Sequence, residues 1–185
     1  MKSEKVYLRA LELDDYKISI KWRQDPEIWS MLVGRRYFVS EQIEKKWIES
    51  TYDNSKQIAL AICDLETNKY IGNIYLKNID YFNKCASSAK LIGDENFWGK
   101  GYGTEATLLM LYHAFYDLGL ERVESRILSS NKASIRVQEK CGYQVEGVLR
   151  KAAFKAGELQ DVVIMSVLKN DFFEILESRN ILKAP

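Results

Sequence analysis

A mixed α+β fold, a single sheet with helices on both faces, is what the sequence predicts, on three observations. Residues 58–65 and 70–79 are strand-length runs joined by the turn Glu66-Thr67-Asn68-Lys69, which reads as an antiparallel hairpin, and residues 87–93 add a third strand to the meander. Beyond residue 100 helix and strand alternate, as they do when helices cover both faces of a sheet. The 185 residues are 46% hydrophobic and 12% aromatic, with no repeat, no low-complexity tract and no linker rich in Gly, Ser or Pro. Residues 1–185 therefore read as one domain with a sizeable core.

Each element has its own signal. Val6 to Leu11 is a first strand, and Asp14-Asp15 supplies N-terminal chemistry for a helix to about Trp22, stopped near Pro26. Ser40 opens a helix to about Tyr52 with Ile43, Trp47, Ile48 and Thr51 on one stripe. The continuous apolar run at 58–65 suits a strand covered on both faces. A glycine-rich loop then precedes a helix from about Tyr102 to Leu118, striped by Leu108, Leu111, Tyr112, Phe115 and Leu118 and ended by Gly119. Arg122 to Leu128 is a strand and Asn131 to Cys141 a helix closed by Gly142; Tyr143 to Leu149 and Gln160 to Leu168 are the last two strands.

Composition removes several classes of function. With 27 basic against 26 acidic residues and a formal charge of +1, no broad basic field exists for nucleic acid. Cys63, Cys85 and Cys141 are odd in number and lack CxxC spacing, which fits a reducing compartment and speaks against a disulfide framework. With His113 the only histidine, no metal site is expected. Met1-Lys2-Ser3-Glu4-Lys5 is charged where a signal peptide is apolar, and no run of 18 apolar residues occurs, so the expectation is a cytoplasmic protein with no membrane role.

The most informative stretch is Trp98-Gly99-Lys100-Gly101-Tyr102-Gly103-Thr104-Glu105-Ala106. Alternate glycines before a helix let the backbone approach a ligand, and the freed N–H groups with the helix dipole suit a phosphate or pyrophosphate. Gly101-x-Gly103-x-x-Ala106 also fits a dinucleotide fingerprint, but Asp94 to Trp98 intervene where that motif needs a strand running straight into the first glycine.

With two further segments the loop resembles a known family. Trp98 to Gly103 is similar to the pyrophosphate loop (Gln/Arg)-x-x-Gly-x-(Gly/Ala) of GCN5-related N-acetyltransferases, Trp98 replacing Gln or Arg. Asn131-Lys132-Ala133-Ser134 followed by Glu139-Lys140-Cys141-Gly142-Tyr143 resembles the family's Asn-x-x-(Ala/Ser)…Glu-Lys-x-Gly-Phe segment. Glu146 to Arg150 with Asp161-Val162 resembles its closing hairpin, in the branch of ribosomal-protein N-terminal and polyamine acetyltransferases.

The resemblance implies a mostly antiparallel seven-stranded sheet with a V-shaped splay between the fourth and fifth strands, here those ending near Ile92 and starting at Arg122. It implies acetyl-CoA as cofactor and direct transfer to a small-molecule amine or a protein N-terminus; a homodimer stays open. Backbone amides of Gly99, Lys100, Gly101, Tyr102, Gly103 and Thr104, following Trp98, would cradle the pyrophosphate. The strand edge at Leu91 and Ile92 would pair with the pantetheine amides, and Asn131 would hydrogen-bond the same arm unless it serves only as a helix cap. Trp29 and Tyr37, with Met31 and Phe38, would wall the acceptor site.

Acyl transfer from a thioester to an amine needs a base for the ammonium, donors for the oxyanion and a proton for the leaving thiolate; the reference pKa values are about 10.4 and about 8.5. A backbone N–H near Ile92 is the oxyanion donor that the resemblance implies. Gln138 stands where many relatives carry a thiolate-protonating tyrosine, Ser88 where others carry a glutamate base, and Ala153 where the ribosomal-protein branch has a hairpin glutamate. Ser134 matches a serine proton donor of that branch and is the leading catalytic candidate, beside its alternative as a cap or surface hydroxyl. The base is unassigned among Asp80, Glu158, Asp161 and a water chain; His113 and Cys141 read as structural. These replacements leave open a second class, a non-catalytic domain that binds coenzyme A.

Overall fold

The computed structural model describes residues 1–53 and 57–179. Seven strands, β1 (Val6–Ala10), β2 (Ile58–Asp64), β3 (Tyr70–Asp80), β4 (Cys85–Ile92), β5 (Arg122–Leu128), β6 (Gln144–Lys155) and β7 (Glu158–Leu168), form one sheet in the order β1-β2-β3-β4-β5-β7-β6. Every neighbouring pair is antiparallel except β4 and β5, which run parallel.

Strand β2 shows why both faces are covered. Its Ile58 and Ile62 pack with α4 (Tyr102–Tyr112), while the alternate Ala59, Ala61 and Cys63 pack with Trp22 of α1 (Tyr16–Gln24), Ile28 of α2 (Pro26–Ser30) and Ile48 of α3 (Glu41–Ser50). The first of these faces also holds Phe172 and Leu176 of α6 (Lys169–Arg179) and, behind α5 (Lys132–Lys140), Cys141 and Tyr143.

Several boundaries differ from the sequence reading, each for a physical reason. Pro26 does not merely stop a helix: it is the first residue of α2, which Asp25 caps by accepting from Glu27 N at 2.8 Å. Helix α4 is enclosed all round at Ala106 to Leu111 rather than along one stripe, since it lies across β1, β3 and β4 with α5 beside it. Strand β6 runs past Leu149 to Lys155, where pairing with β7 overrides the charged pair Arg150-Lys151, and Ala156-Gly157 (φ 49° and 87°) closes the hairpin in the left-handed turn conformation. Helix α6, absent from the sequence reading, begins directly after β7.

The parallel pair positions the site. Strands β4 and β5 pair only from Cys85↔Arg122 to Ser88↔Ser125 and then separate. Beyond Ser88, β4 stays on β3 as far as Ile92, and β5 stays on β7 as far as Leu128, so the sheet forks into a V without loosening either strand. At the crotch, Ser88 Oγ shares a 2.7 Å hydrogen bond with the Tyr143 hydroxyl and donates to Glu124 O at 3.3 Å.

Candidate active site

A cavity of about 550 Å³ occupies the fork and is lined from both faces of the sheet. Its front is bounded by Tyr75, Lys77, Ala89 and Leu91 on the sheet, by Arg23 and Trp47 on helices, and by the segment from Trp29 to Val39; its back reaches Lys90, Asn131, Ser134 and Gln138. Of the residues that sequence reasoning proposed, it brings together Trp29, Tyr37, Leu91, Asn131 and Ser134. Ile92 and the stretch from Trp98 to Thr104 lie outside its lining, at the head of α4.

The glycine loop has the form of an anion cradle. Gly99 (φ 70°) and Gly101 (φ 93°) adopt the left-handed conformation that other residues resist. Nothing lies within 4 Å of a Cβ placed on Gly99, and on Gly101 such an atom meets only Lys5 Nζ, at 3.6 Å. Gly101 is the N-cap of α4, and its carbonyl accepts from the N–H groups of Thr104 and Glu105 at 3.0 and 3.1 Å, so the preceding amides of Tyr102 and Gly103 have no intrahelical acceptor. Lys5 Nζ donates to Lys100 O at 2.9 Å and adds positive charge. Glu105 turns away to accept from Ser3 Oγ and Lys5 N at 2.7 and 2.8 Å, so its charge does not oppose an anion there. These features fit a coenzyme pyrophosphate. The Tyr102 side chain is directed elsewhere, donating to Asp64 Oδ1 at 3.0 Å, and leaves only its backbone for a ligand.

The fork edge of β4 is partly engaged. Gly93 N donates to Ile71 O on β3 at 2.8 Å, so by alternation the backbone groups of Ile92 and Lys90 face the fork. Trp98 Nε1 takes the Ile92 carbonyl at 2.7 Å, tying the glycine loop to the strand end; the Ile92 N–H remains directed into the fork. Asn131 is engaged at both ends: its Oδ1 accepts from Ser134 N at 3.0 Å as the cap of α5, and its Nδ2 donates to Met31 O at 3.0 Å.

Sequence reasoning does not single out Lys90, because a lysine in an alternating strand reads as a solvated charge. Its Nζ donates to Oε1 of the buried Gln138 at 2.9 Å, and burial pushes the ammonium down to about 8. Ala153 packs with Leu128, Val162 and Val33, and His113 pairs with Asp117 at 2.6 Å on the outside of the helix that extends α4. Cys141 is buried, its Sγ 3.6 Å from Thr104 O.

The front of the cavity is cationic. Arg23, Lys77 and Arg126 line it, with Lys90 behind, against a single acid among the described residues, Glu44. That carboxylate is 1% exposed, accepts from Ser19 Oγ at 2.6 Å and lies 3.5 Å from Arg23 Nε. The Arg23 guanidinium also lies over the Trp47 ring at 4.4 Å, and Lys77 Nζ over the Tyr75 ring at 4.6 Å. Burial, and then the adjacent Arg23, lower the Lys77 pKa from its ordinary value. Trp29 is a buried wall, its Nε1 donating to Arg23 O at 2.6 Å, whereas Tyr37 and the 98% exposed Phe38 form the rim. Lys155 of β6, 8% exposed, holds this wall by donating to Trp29 O at 3.1 Å and to Gly34 O.

A lone parallel pair that forks, with an anion cradle behind it, also agrees with comparison to known proteins: the sequence model of the acetyltransferase (GNAT) domain matches residues 5–144. The chain belongs to the GNAT acetyltransferase family. It is 29% identical over 173 residues to the uncharacterised N-acetyltransferase p20 of Bacillus licheniformis, covering 92% of this chain and 96% of that protein. It is 28% identical over 169 residues to the prophage-derived uncharacterised N-acetyltransferase YokL of Bacillus subtilis, covering 91% and 93%. Among solved structures, a spermidine N-acetyltransferase from Vibrio cholerae, in complex with CoA and spermine, shares the fold with a TM-score of 0.84 at 23% identity, over 91% of this chain and 98% of that one. This GNAT protein is an N-acetyltransferase that takes its acetyl group from acetyl-CoA and delivers it to an amine. Among the described residues no helix is long and apolar enough to cross a membrane.

Proposed function

We propose that the acceptor is an amine carried on an anionic, partly apolar molecule, entering from the face of α1 and α3 while the coenzyme arm enters from the face of α4 and α5. The observation that carries this reading is the charge of the acceptor side of the chamber: Arg23, Lys77 and Arg126, the last 3.6 Å from Glu124, against one enclosed carboxylate that Ser19 and Arg23 already engage. A polycation would have to pass Arg23, Lys77 and Arg126 to reach the fork. A carboxylate or phosphate instead finds Arg23 and Lys77 side by side, with Trp47 and Tyr75 for its apolar body.

The same cations answer the want of a side-chain base. Positive charge around a bound ammonium lowers its pKa, so the proton can leave to water before attack. In this reading the amides from Gly99 to Gly103, with Lys5 and Lys100, hold the coenzyme pyrophosphate, and Thr104, whose N–H is taken by Gly101 O, contributes none. The β4 edge at Ile92 and Lys90, with Asn131, lines the pantetheine arm, Leu91 having its backbone turned to β3, and an N–H at that edge receives the developing oxyanion. When bound, acetyl-CoA supplies the thioester; Ser134 borders its arm as a hydroxyl donor. The thiols of Cys63, Cys85 and Cys141, none of them in a disulfide, suit the reducing cytoplasm.

Thiol release tests the acceptor class. Phenylalanine is compared with phenylalaninamide, glucosamine 6-phosphate with glucosamine, and all four with spermidine. The anionic member of each pair is expected to have a kcat/KM about tenfold higher, the scale of one charge-assisted hydrogen bond, and Lys77→Met to erase most of the difference. Preference for spermidine overturns the acceptor reading and leaves acetyl transfer itself intact.

A further inference from the structure

We propose that Lys90 is a catalytic residue of the transfer, its ε-ammonium meeting the coenzyme sulfur inside the fork and returning a proton to it, with Gln138 as the residue that positions it. The inference rests on the transferase reading above. Lys90 lies on the part of β4 that has left β5, and it lines the cavity together with Ser134 and Gln138, which are one turn apart on α5. The amide oxygen of Gln138 can only accept, so the 2.9 Å bond fixes one ammonium N–H and leaves two for a ligand. The stem runs along the first turn of α4: a Cβ on Gly103 would stand 3.5 Å from Lys90 Cε, so this glycine leaves room for the lysine beside the anion cradle.

What surrounds the ammonium matters as much as where it is. Ser88 of its own strand, Thr107 of α4, Gln138 of α5, Cys141 that ends that helix and Tyr143 just before β6 face it; among these only the Cys141 thiol and the Tyr143 phenol titrate, and burial pushes the phenol up. Among the described residues no carboxylate pairs with it. A cation without a counter-charge therefore lies where a thiolate has to be generated. Burial that lowers its pKa to about 8 matches it to a thiol of about 8.5, so little driving force is lost in the proton transfer.

The step balances. The acceptor nitrogen forms its bond to the acetyl carbon as the carbon–sulfur bond breaks and leaves its electron pair on sulfur. Lys90 Nζ–H gives that sulfur a proton. The neutral amine then regains one, through water, from the proton shed by the acceptor nitrogen, so the products are an amide and a thiol. Ser134 donates a hydrogen bond in this scheme, since a hydroxyl is too weak an acid to be the source.

Lys90→Met and Lys90→Arg, checked for parental circular dichroism, test the assignment in the full chain with bound coenzyme A and no acceptor. The ultraviolet absorbance of the thiolate gives the pH midpoint of the bound thiol, and desulfo-coenzyme A supplies the baseline. In the parent the midpoint is expected about one unit below the free thiol, in Lys90→Met at or above it, and in Lys90→Arg still lowered because the charge is kept. Turnover is expected to fall about a hundredfold in both variants, arginine being unable to release a proton near neutrality. The same midpoint in the parent and Lys90→Met, or full turnover in Lys90→Arg, overturns the proposal. Absence of thiol release with every amine would sink the transferase reading instead and leave the midpoints to judge the contact.

Discussion

Adding one methyl group at Gly72 should damage both the fold and the coenzyme site. Gly72 lies on β3 between Ile62 of β2 and Ile92 of β4, and its φ is not left-handed, so alanine introduces no backbone strain of its own. The obstacle is contact: its Cβ would come 2.2 Å from Leu91 O and 3.0 Å from Ile92 Cα. Overpacking costs about 1–3 kcal/mol when side chains can give way; here the obstacle is backbone held between paired strands, so about 3 kcal/mol is the working figure. For a chain of this size that corresponds to a melting temperature lower by about 6–12 °C, read by calorimetry on the ligand-free protein. The only relief is to push β4 toward the fork at Leu91 and Ile92, so coenzyme A affinity, measured by titration calorimetry, should fall about tenfold as well. Gly147→Ala is the control, since nothing lies within 4 Å of its Cβ, and it should stay within about 0.5 kcal/mol of the parent. A Gly72→Ala protein that melts within about 2 °C of the parent and binds coenzyme A equally well would refute the argument.

Three other outcomes are expected. Gly101→Val should weaken coenzyme A at least tenfold in a binding titration, because valine resists the left-handed φ of 93° and crowds the cradle, with smaller loss of stability. Arg122 and Ser166 hydrogen bonds hold the Glu146 carboxyl down to about 2, so its folded pKa lies below the unfolded value; its stabilisation is present above about pH 4.5 and lost as pH falls toward 2. Thermal melts should thus show Glu146→Gln less stable than the parent at pH 7 and equal to it near pH 2. Lys155→Met should raise the acceptor KM several-fold and weaken coenzyme A much less, because it frees the Trp29–Gly34 wall, which reaches the coenzyme side only where Met31 O accepts from Asn131.

Elements whose burial has a simple period were legible in the sequence. Strand β5 is found at Arg122–Leu128 as read, and Ser40 caps α3 through Ile43 N at 3.3 Å. Period fails where tertiary pairing decides: the second half of β6 is held by β7 across a register shift between Leu149 and Ala153, and α4 is enclosed too completely to show a stripe. The glycine turn that opens α4 was legible because glycine chemistry is local. Its counterpart was not, since Lys90 and Gln138 are 48 residues apart and meet only because β4 parts from β5 after Ser88. Nothing in the residues Ala89 to Ile92 announces where pairing stops.

That separation also explains why the sequence seemed to lack catalytic groups. Reading one position at a time, Gln138, Ser88 and Ala153 look like losses. In the fold, Ser88 has become the pin of the crotch with Tyr143 and Glu124, and Ala153 fills a small apolar cluster, so neither has room for a carboxylate. Glu44, the one acid among the described residues that does reach the cavity, is held by Ser19 and Arg23. On the reading proposed above, a site of this polarity manages protons by charge: Arg23, Lys77 and Arg126 make an ammonium on the acceptor a stronger acid, and Lys90 makes a thiolate easier to form. Both effects act in the direction of transfer, and both would oppose a polyamine, whose remaining ammonium groups would sit among these cations. Acceptor preference and proton management are therefore two consequences of one charge distribution, and a change such as Lys77→Glu should shift both together, admitting cations while raising the pH at which turnover begins.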